Sequence, residues 1–161
     1  QRYLGSVPGC DEGWGLYAES LADELGLMPT PEDRFGRLAA RRWRLARVLV
    51  DLGVHSRLPV PDDVAALPGA CREWNRATVT AVLRHHTVIS EGRLRFEVSR
   101  HLGWPAQPLA YAVGERVWQA GRRSAQAQAR TEGGELDLRA FHNRGIDLGS
   151  VGLDLLASAL H

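Results

Sequence analysis

No stretch of the 161 residues approaches the roughly 18 uninterrupted apolar positions that a membrane-spanning helix needs. No run alternates in the period-two manner of a half-buried strand, and no glycine-rich phosphate loop, repeat or coiled coil occurs. The two cysteines, Cys10 and Cys71, lack the close spacing of a metal-binding pair. One disulfide or two separate thiols are both compatible with their positions. Neither has a neighbouring base, so a cysteine nucleophile is disfavoured. The formal net charge is only +1, which gives no electrostatic case for nucleic acid or an acidic membrane as partner. No signal-peptide pattern opens the sequence, which leaves the cellular compartment open.

What is present is helical. Apolar residues make up 44% of the chain, enough for a domain with a real core. Apolar positions recur at helical spacing, and proline and glycine punctuate them. The pattern predicts helices over 11–26, 32–54, 62–67, 71–88, 90–102, 106–130, 137–147 and 151–160. Asp11 is the expected cap of the first. Pro31, followed by Glu32 and Asp33, suits the start of the second. The fold class is therefore all-α, a multi-helix array with short connections.

Polar rows on these helices hold the functional information. Glu12, Leu16, Glu19 and Asp23 fall near one face of the first helix, beside Trp14 and Tyr17. Arg47, Asp51 and His55 follow at i, i+4, i+8. Arg47 is expected to pair with Asp51, and Asp51 to accept a hydrogen bond from His55 and so orient the imidazole. Glu97 and Arg100 are one turn apart and suit an ion pair, with His101 beside them. Tyr111, four residues after Gln107, offers an uncharged donor for an oxyanion. His142, in Phe141-His142-Asn143, is either a second donor or a helix cap. Each row also has a bland reading, as a salt bridge, a capped helix end or a core contact. Zinc requires three or four converging ligands. Glu12 and six histidines (His55, His85, His86, His101, His142, His161) make no complete set by spacing. His85 and His86 diverge by about 100° on a helix and do not readily chelate one ion.

Four segments in order carry a resemblance. EGWGLYAESLADELG at 12–26, RVLVDLGVH at 47–55, FEVSRHLGWPAQPLAYAVG at 96–114 and DLRAFHNRGIDLG at 137–149 are similar to motifs of the bacterial DUF885 family. That family resembles helical zinc-dependent peptidases of the thermolysin-like group. The resemblance implies that Glu12 is the third zinc ligand, with Glu19, Asp51 and Glu97 as carboxylates that support the site. It implies that His55 orients a group or binds an oxyanion, that Arg100 and Tyr111 face substrate or stabilise the tetrahedral intermediate, and that His142 completes the polar cleft. In the family, two histidine ligands and a glutamate base lie on a helix before the EGW motif, which would place them upstream of Gln1. The chain then reads as the carboxy-terminal part of a metallopeptidase domain, with the amino-terminal part of the same polypeptide and a peptide substrate as its partners. Alone it is expected to be inactive and to bind no zinc specifically. The alternative is a noncatalytic helical domain that has lost the metal site and binds a protein or peptide. Departures from the family pattern bear on that choice, among them Cys10 and Asp11 before the EGW motif, where an apolar or aromatic residue is more expected. Ala106-Gln107-Pro108 replaces a glycine-glutamine-alanine run, His101 replaces a tyrosine, and Asn143 replaces an aspartate.

Overall fold

The computed structural model describes residues 5–161. The described residues form eight α-helices and no strand, as the periodicity predicts. None of these helices is long and apolar enough to cross a membrane. The chain divides into two units. One comprises Gln1–Leu27 and Ala110–His161, the other Met28–Leu109.

The second unit is the continuous one. It contains α2 (Pro31–His55), α3 (Asp62–Ala65), α4 (Arg76–His86) and α5 (Glu91–Gly103). Helices α2, α4 and α5 each pack against the other two. Val50, Val79, Val82, Leu83, Leu94 and Val98 fill the space between them, and all are buried. Helix α2 starts where the prolines and acids suggest. Thr30 Oγ1 accepts from Asp33 N, the Asp33 carboxylate accepts from Thr30 N, and Pro31 supplies the first helical φ. At Gly53 an added Cβ would collide with the Trp74 ring, so glycine there lets the indole lie against the helix backbone.

Helix α4 is shorter than the predicted 71–88. Asn75 Oδ1 accepts from the amides of Ala77 and Thr78, which starts the helix at Arg76. Thr78 Oγ1 also takes the Cys71 amide at 3.1 Å, which ties residues 71–75 into a turn. Both cysteines are free thiols, and they lie in different units.

The first unit contains α1 (Pro8–Glu24), α6 (Leu109–Thr131, of which all but Leu109 belongs here), α7 (Leu138–Ile146) and α8 (Leu153–Leu160). Helix α1 begins at Pro8, three residues before the point expected from Asp11. Proline's fixed φ suits that first position. Asp11 instead lies in the first turn and accepts from Ser6 Oγ at 2.6 Å. The core is aromatic: Tyr17, Trp118 and Phe141 are buried with Leu156 and Leu160. Tyr17 stacks on Trp118 with ring centres 5.6 Å apart, and Trp14 lies 4.8 Å from Trp118. Helices α1 and α6 meet at Gly13 and Gly114, where backbone lies on backbone with no room for a side chain.

Candidate functional site

The second unit holds a buried charged cluster between α2 and α5. Glu97 is fully buried and Arg47 almost so. Around the Glu97 carboxylate stand Arg93 Nη2 at 3.0 Å, His101 Nε2 at 3.4 Å, Arg100 Nη1 at 3.8 Å and Arg47 Nε at 3.9 Å. Arg47 also donates from Nε to His101 Nε2 at 3.0 Å and from Nη2 to Gln107 Oε1 at 2.9 Å. Arg100 Nη2 reaches the same amide oxygen at 3.2 Å. The Glu97–Arg100 pair expected from the sequence is therefore one edge of a larger network.

The bond from Arg47 sets the protonation of His101. A guanidinium only donates, so His101 Nε2 must present a lone pair and the ring is neutral. Burial, then the charges of Arg47 and Arg100, hold its pKa down at about 4, although Glu97 pulls the other way. The folded value lies below the unfolded value of 6.5. The stability that His101 confers is thus complete above pH 6.5 and is lost as pH falls towards about 4. The expected loss is on the order of 3 kcal/mol. Urea unfolding at a series of pH values checks it: His101→Gln, which keeps an acceptor for Arg47 but does not titrate, should show a distinctly shallower decline between pH 6.5 and 4.5.

Asp51 and His55 are differently engaged from the sequence expectation. Both Asp51 oxygens accept from the Ala106 amide, at 3.0 and 3.1 Å. His55 Nε2 lies 3.9 Å from Asp51 Oδ1, beyond a hydrogen bond, and instead donates to the His101 carbonyl at 2.8 Å. That carbonyl is in the last turn of α5, where helix geometry leaves carbonyls without partners. His55 therefore closes the end of the neighbouring helix, and Asp51 pins the loop that follows it. Ala106 has φ +68°, the left-handed region that favours glycine. The two bonds from Asp51 hold the loop at the residue that bears this cost.

The first unit carries Glu12, Glu19, Tyr111 and His142. Glu12, Glu19 and Tyr111 are half-buried. Glu12 and Glu19 lie on α1, and Tyr111 lies in the first turn of α6. Glu115, one turn beyond Tyr111, is buried. His142 lies among the rings of Trp14, Tyr17, Trp118 and Phe141. Its Nε2 is 2.9 Å from Tyr17 Oη, and Arg122 reaches the same oxygen at 3.5 Å and Glu24 at 2.7 Å. Burial, followed by the Arg122 charge, lowers the pKa of His142, and burial raises that of Tyr17. Both shifts favour a neutral pair in which the phenol donates to the imidazole. The Tyr17–Arg122–Glu24 chain has no sequence signal, because Arg122 lies 98 residues from Glu24.

The candidate residues thus fall into two sets, Asp51, His55, Glu97 and Arg100 in one unit and Glu12, Glu19, Tyr111 and His142 in the other. Among the described residues, no three His, Cys, Asp or Glu side chains are grouped so as to hold a metal ion. Glu12 can offer one carboxylate to a metal.

The family described as bacterial protein of unknown function (DUF885) matches residues 1–160. No curated protein matches the chain. The chain is similar to a crystal structure described as the "putative lipoprotein" from Colwellia psychrerythraea, with 28% identity and a TM-score of 0.81. The match covers 99% of this chain and 24% of the other, so the chain spans about a quarter of that protein's length.

Proposed function

This chain belongs to the DUF885 family of bacterial proteins, and from that premise we propose that it is the carboxy-terminal part of a zinc-dependent peptidase. The observation that carries the reading is the setting of Glu12. It is a half-buried carboxylate on α1, next to Gly13, whose backbone is pressed on that of Gly114. A ligand on so tightly held a helix is preorganised. Glu12 would hold the metal together with two histidines outside these 161 residues. Bound zinc would supply an activated water and polarise the scissile carbonyl.

The chain's own residues would bind and orient the peptide. In the first unit Tyr111 carries a phenol, and in the second Arg100 is a cation with donors to spare. His55 and His142 each commit Nε2 to a neighbour, to the His101 carbonyl and to Tyr17 respectively. Each therefore has only Nδ1 left to offer a peptide. Glu19 and Asp51 would support the surrounding backbone and ligands, as Asp51 already does at Ala106. Glu97 fixes the arginines in place.

The test compares zinc binding by the 161-residue chain with that of a longer polypeptide carrying the upstream residues of its reading frame. The longer form should bind one zinc tightly, and Glu12→Gln should weaken it by at least about 100-fold. The 161-residue chain alone should bind no better than scattered histidines. Tight one-to-one binding by the short chain, or an affinity untouched by Glu12→Gln, would sink the ligand assignment. A longer form that binds no zinc would favour the noncatalytic peptide-binding domain.

A further inference from the structure

Arg100 differs from the other arginines of its cluster in what it leaves unused. Its side chain is 22% exposed, and its guanidinium lies 5.2 Å from the centre of the Trp104 ring. One hydrogen bond, to Gln107 Oε1, engages Nη2, while Nη1 stands 3.8 Å from Glu97. A guanidinium has five N–H donors. No Arg100 nitrogen is among the buried polar atoms left without a partner. Gln107 is held the same way round by two arginines. With its oxygen between Arg47 and Arg100, its NH2 group is turned away from both. Two amide donors are therefore presented beside an incompletely used guanidinium.

The surroundings of Arg100 point the same way. Three guanidiniums (Arg47, Arg93, Arg100) surround the single carboxylate of Glu97. Asp51 is occupied by the Ala106 amide. The accessible guanidinium beside the Gln107 amide donors is that of Arg100. Trp104 is 56% exposed, although a tryptophan gains most from burial. Arginine and tryptophan side by side are the composition of a binding hot spot. A planar carboxylate suits a guanidinium edge in two parallel bonds. A phosphate would call for more cationic donors than this edge presents, and the indole face suits an apolar side chain next to the anion.

We infer that Arg100, Gln107 and Trp104 form a receptor for the terminal carboxylate of a peptide, whose last side chain rests on the indole. This goes beyond the peptidase reading, since recognition needs no metal. If both hold, hydrolysis would occur near the carboxy terminus of the substrate.

The experiment is a calorimetric titration of the 161-residue chain with N-acetyl-phenylalanine, its carboxamide and inorganic phosphate. The acid should bind at least about tenfold more tightly than the amide. Arg100→Lys, which keeps the charge but loses the two-bonded edge, should weaken the acid by about tenfold as well. Trp104→Leu, at an exposed position outside the buried network, should weaken the acid without altering the circular dichroism of the chain. Equal affinity for acid and amide would overturn the inference, as would tighter binding of phosphate than of the acid. Unchanged acid binding in Trp104→Leu would also overturn it, whether or not the Arg100 variant folds. None of these outcomes depends on zinc or catalysis, so the peptidase reading stands or falls separately.

Discussion

Glu97→Ala is expected to lower the free energy of unfolding by about 3–5 kcal/mol. The carboxylate is completely buried, and so nearly is Arg47, whose Nε is 3.9 Å away. Without Glu97, Arg47 keeps His101 and Gln107 but loses the buried anion that faces it from α5. Arg93 and Arg100, with side chains 51% and 22% exposed, can recover some hydration. Arg47 cannot. The cost is therefore mostly that of a buried cation that loses its counter-charge across the α2–α5 contact, not the worth of the pair. The double substitution Glu97→Leu with Arg47→Met should recover much of the loss, because removing both charges removes the desolvation penalty as well. Urea unfolding of the two single variants and the double variant measures this. A loss below about 1 kcal/mol in Glu97→Ala would mean that water reaches the cluster and that the charges are not truly buried.

Gly114→Ala should be the most damaging single-methyl change in the first unit. The new Cβ would fall on the carbonyl oxygen of Gly9 and lie 2.6 Å from the Cα of Gly13. Both obstacles are backbone, so no side chain can rotate aside. Helix α1 would have to move bodily, which would disturb the Tyr17–Trp118 stack. Overpacking of this kind costs about 3 kcal/mol, or more where the backbone cannot yield. Gly15→Ala is the matched control on the same helix. A Cβ there meets nothing within 4 Å, and alanine should raise stability by up to about 1 kcal/mol through helix propensity. Opposite signs for the two variants in urea unfolding would verify the close approach. Similar small effects would show that α1 is free to shift.

The helices were legible because they depend on local rules. Apolar spacing located all eight, and their ends followed prolines, glycines and capping side chains. The ends misplaced from sequence include the start of α6, at Leu109 and not 106, because Ala106 sits in a left-handed turn held by Asp51. Asn75 and Thr78 turn residues 71–75 away from α4, and Pro8 starts α1 before Asp11. The polar rows were legible as rows, but their partners were not. Helical spacing puts His55 beside Asp51, yet the imidazole bonds to a backbone carbonyl 46 residues on. No pattern of side chains encodes such a carbonyl. The strain at Ala106 was similarly hidden, since alanine carries none of the usual signs of a left-handed residue. Tyr17 read as apolar surface, because Arg122 and His142 reach it only once the chain has folded.

The division of the chain also sets an order of assembly during synthesis. Residues 28–109 form a continuous unit whose helices find their partners soon after leaving the ribosome. Helix α1 emerges before them but belongs with residues 110–161. Tyr17 must wait for His142, 125 residues later, which at about 5–20 residues per second is on the order of 10 s. Throughout that interval Trp14, Leu16, Tyr17 and Leu21 have none of their α6–α8 neighbours to cover them. The segment that carries Glu12 is thus open to aggregation or chaperone capture while residues 110–161 are being made.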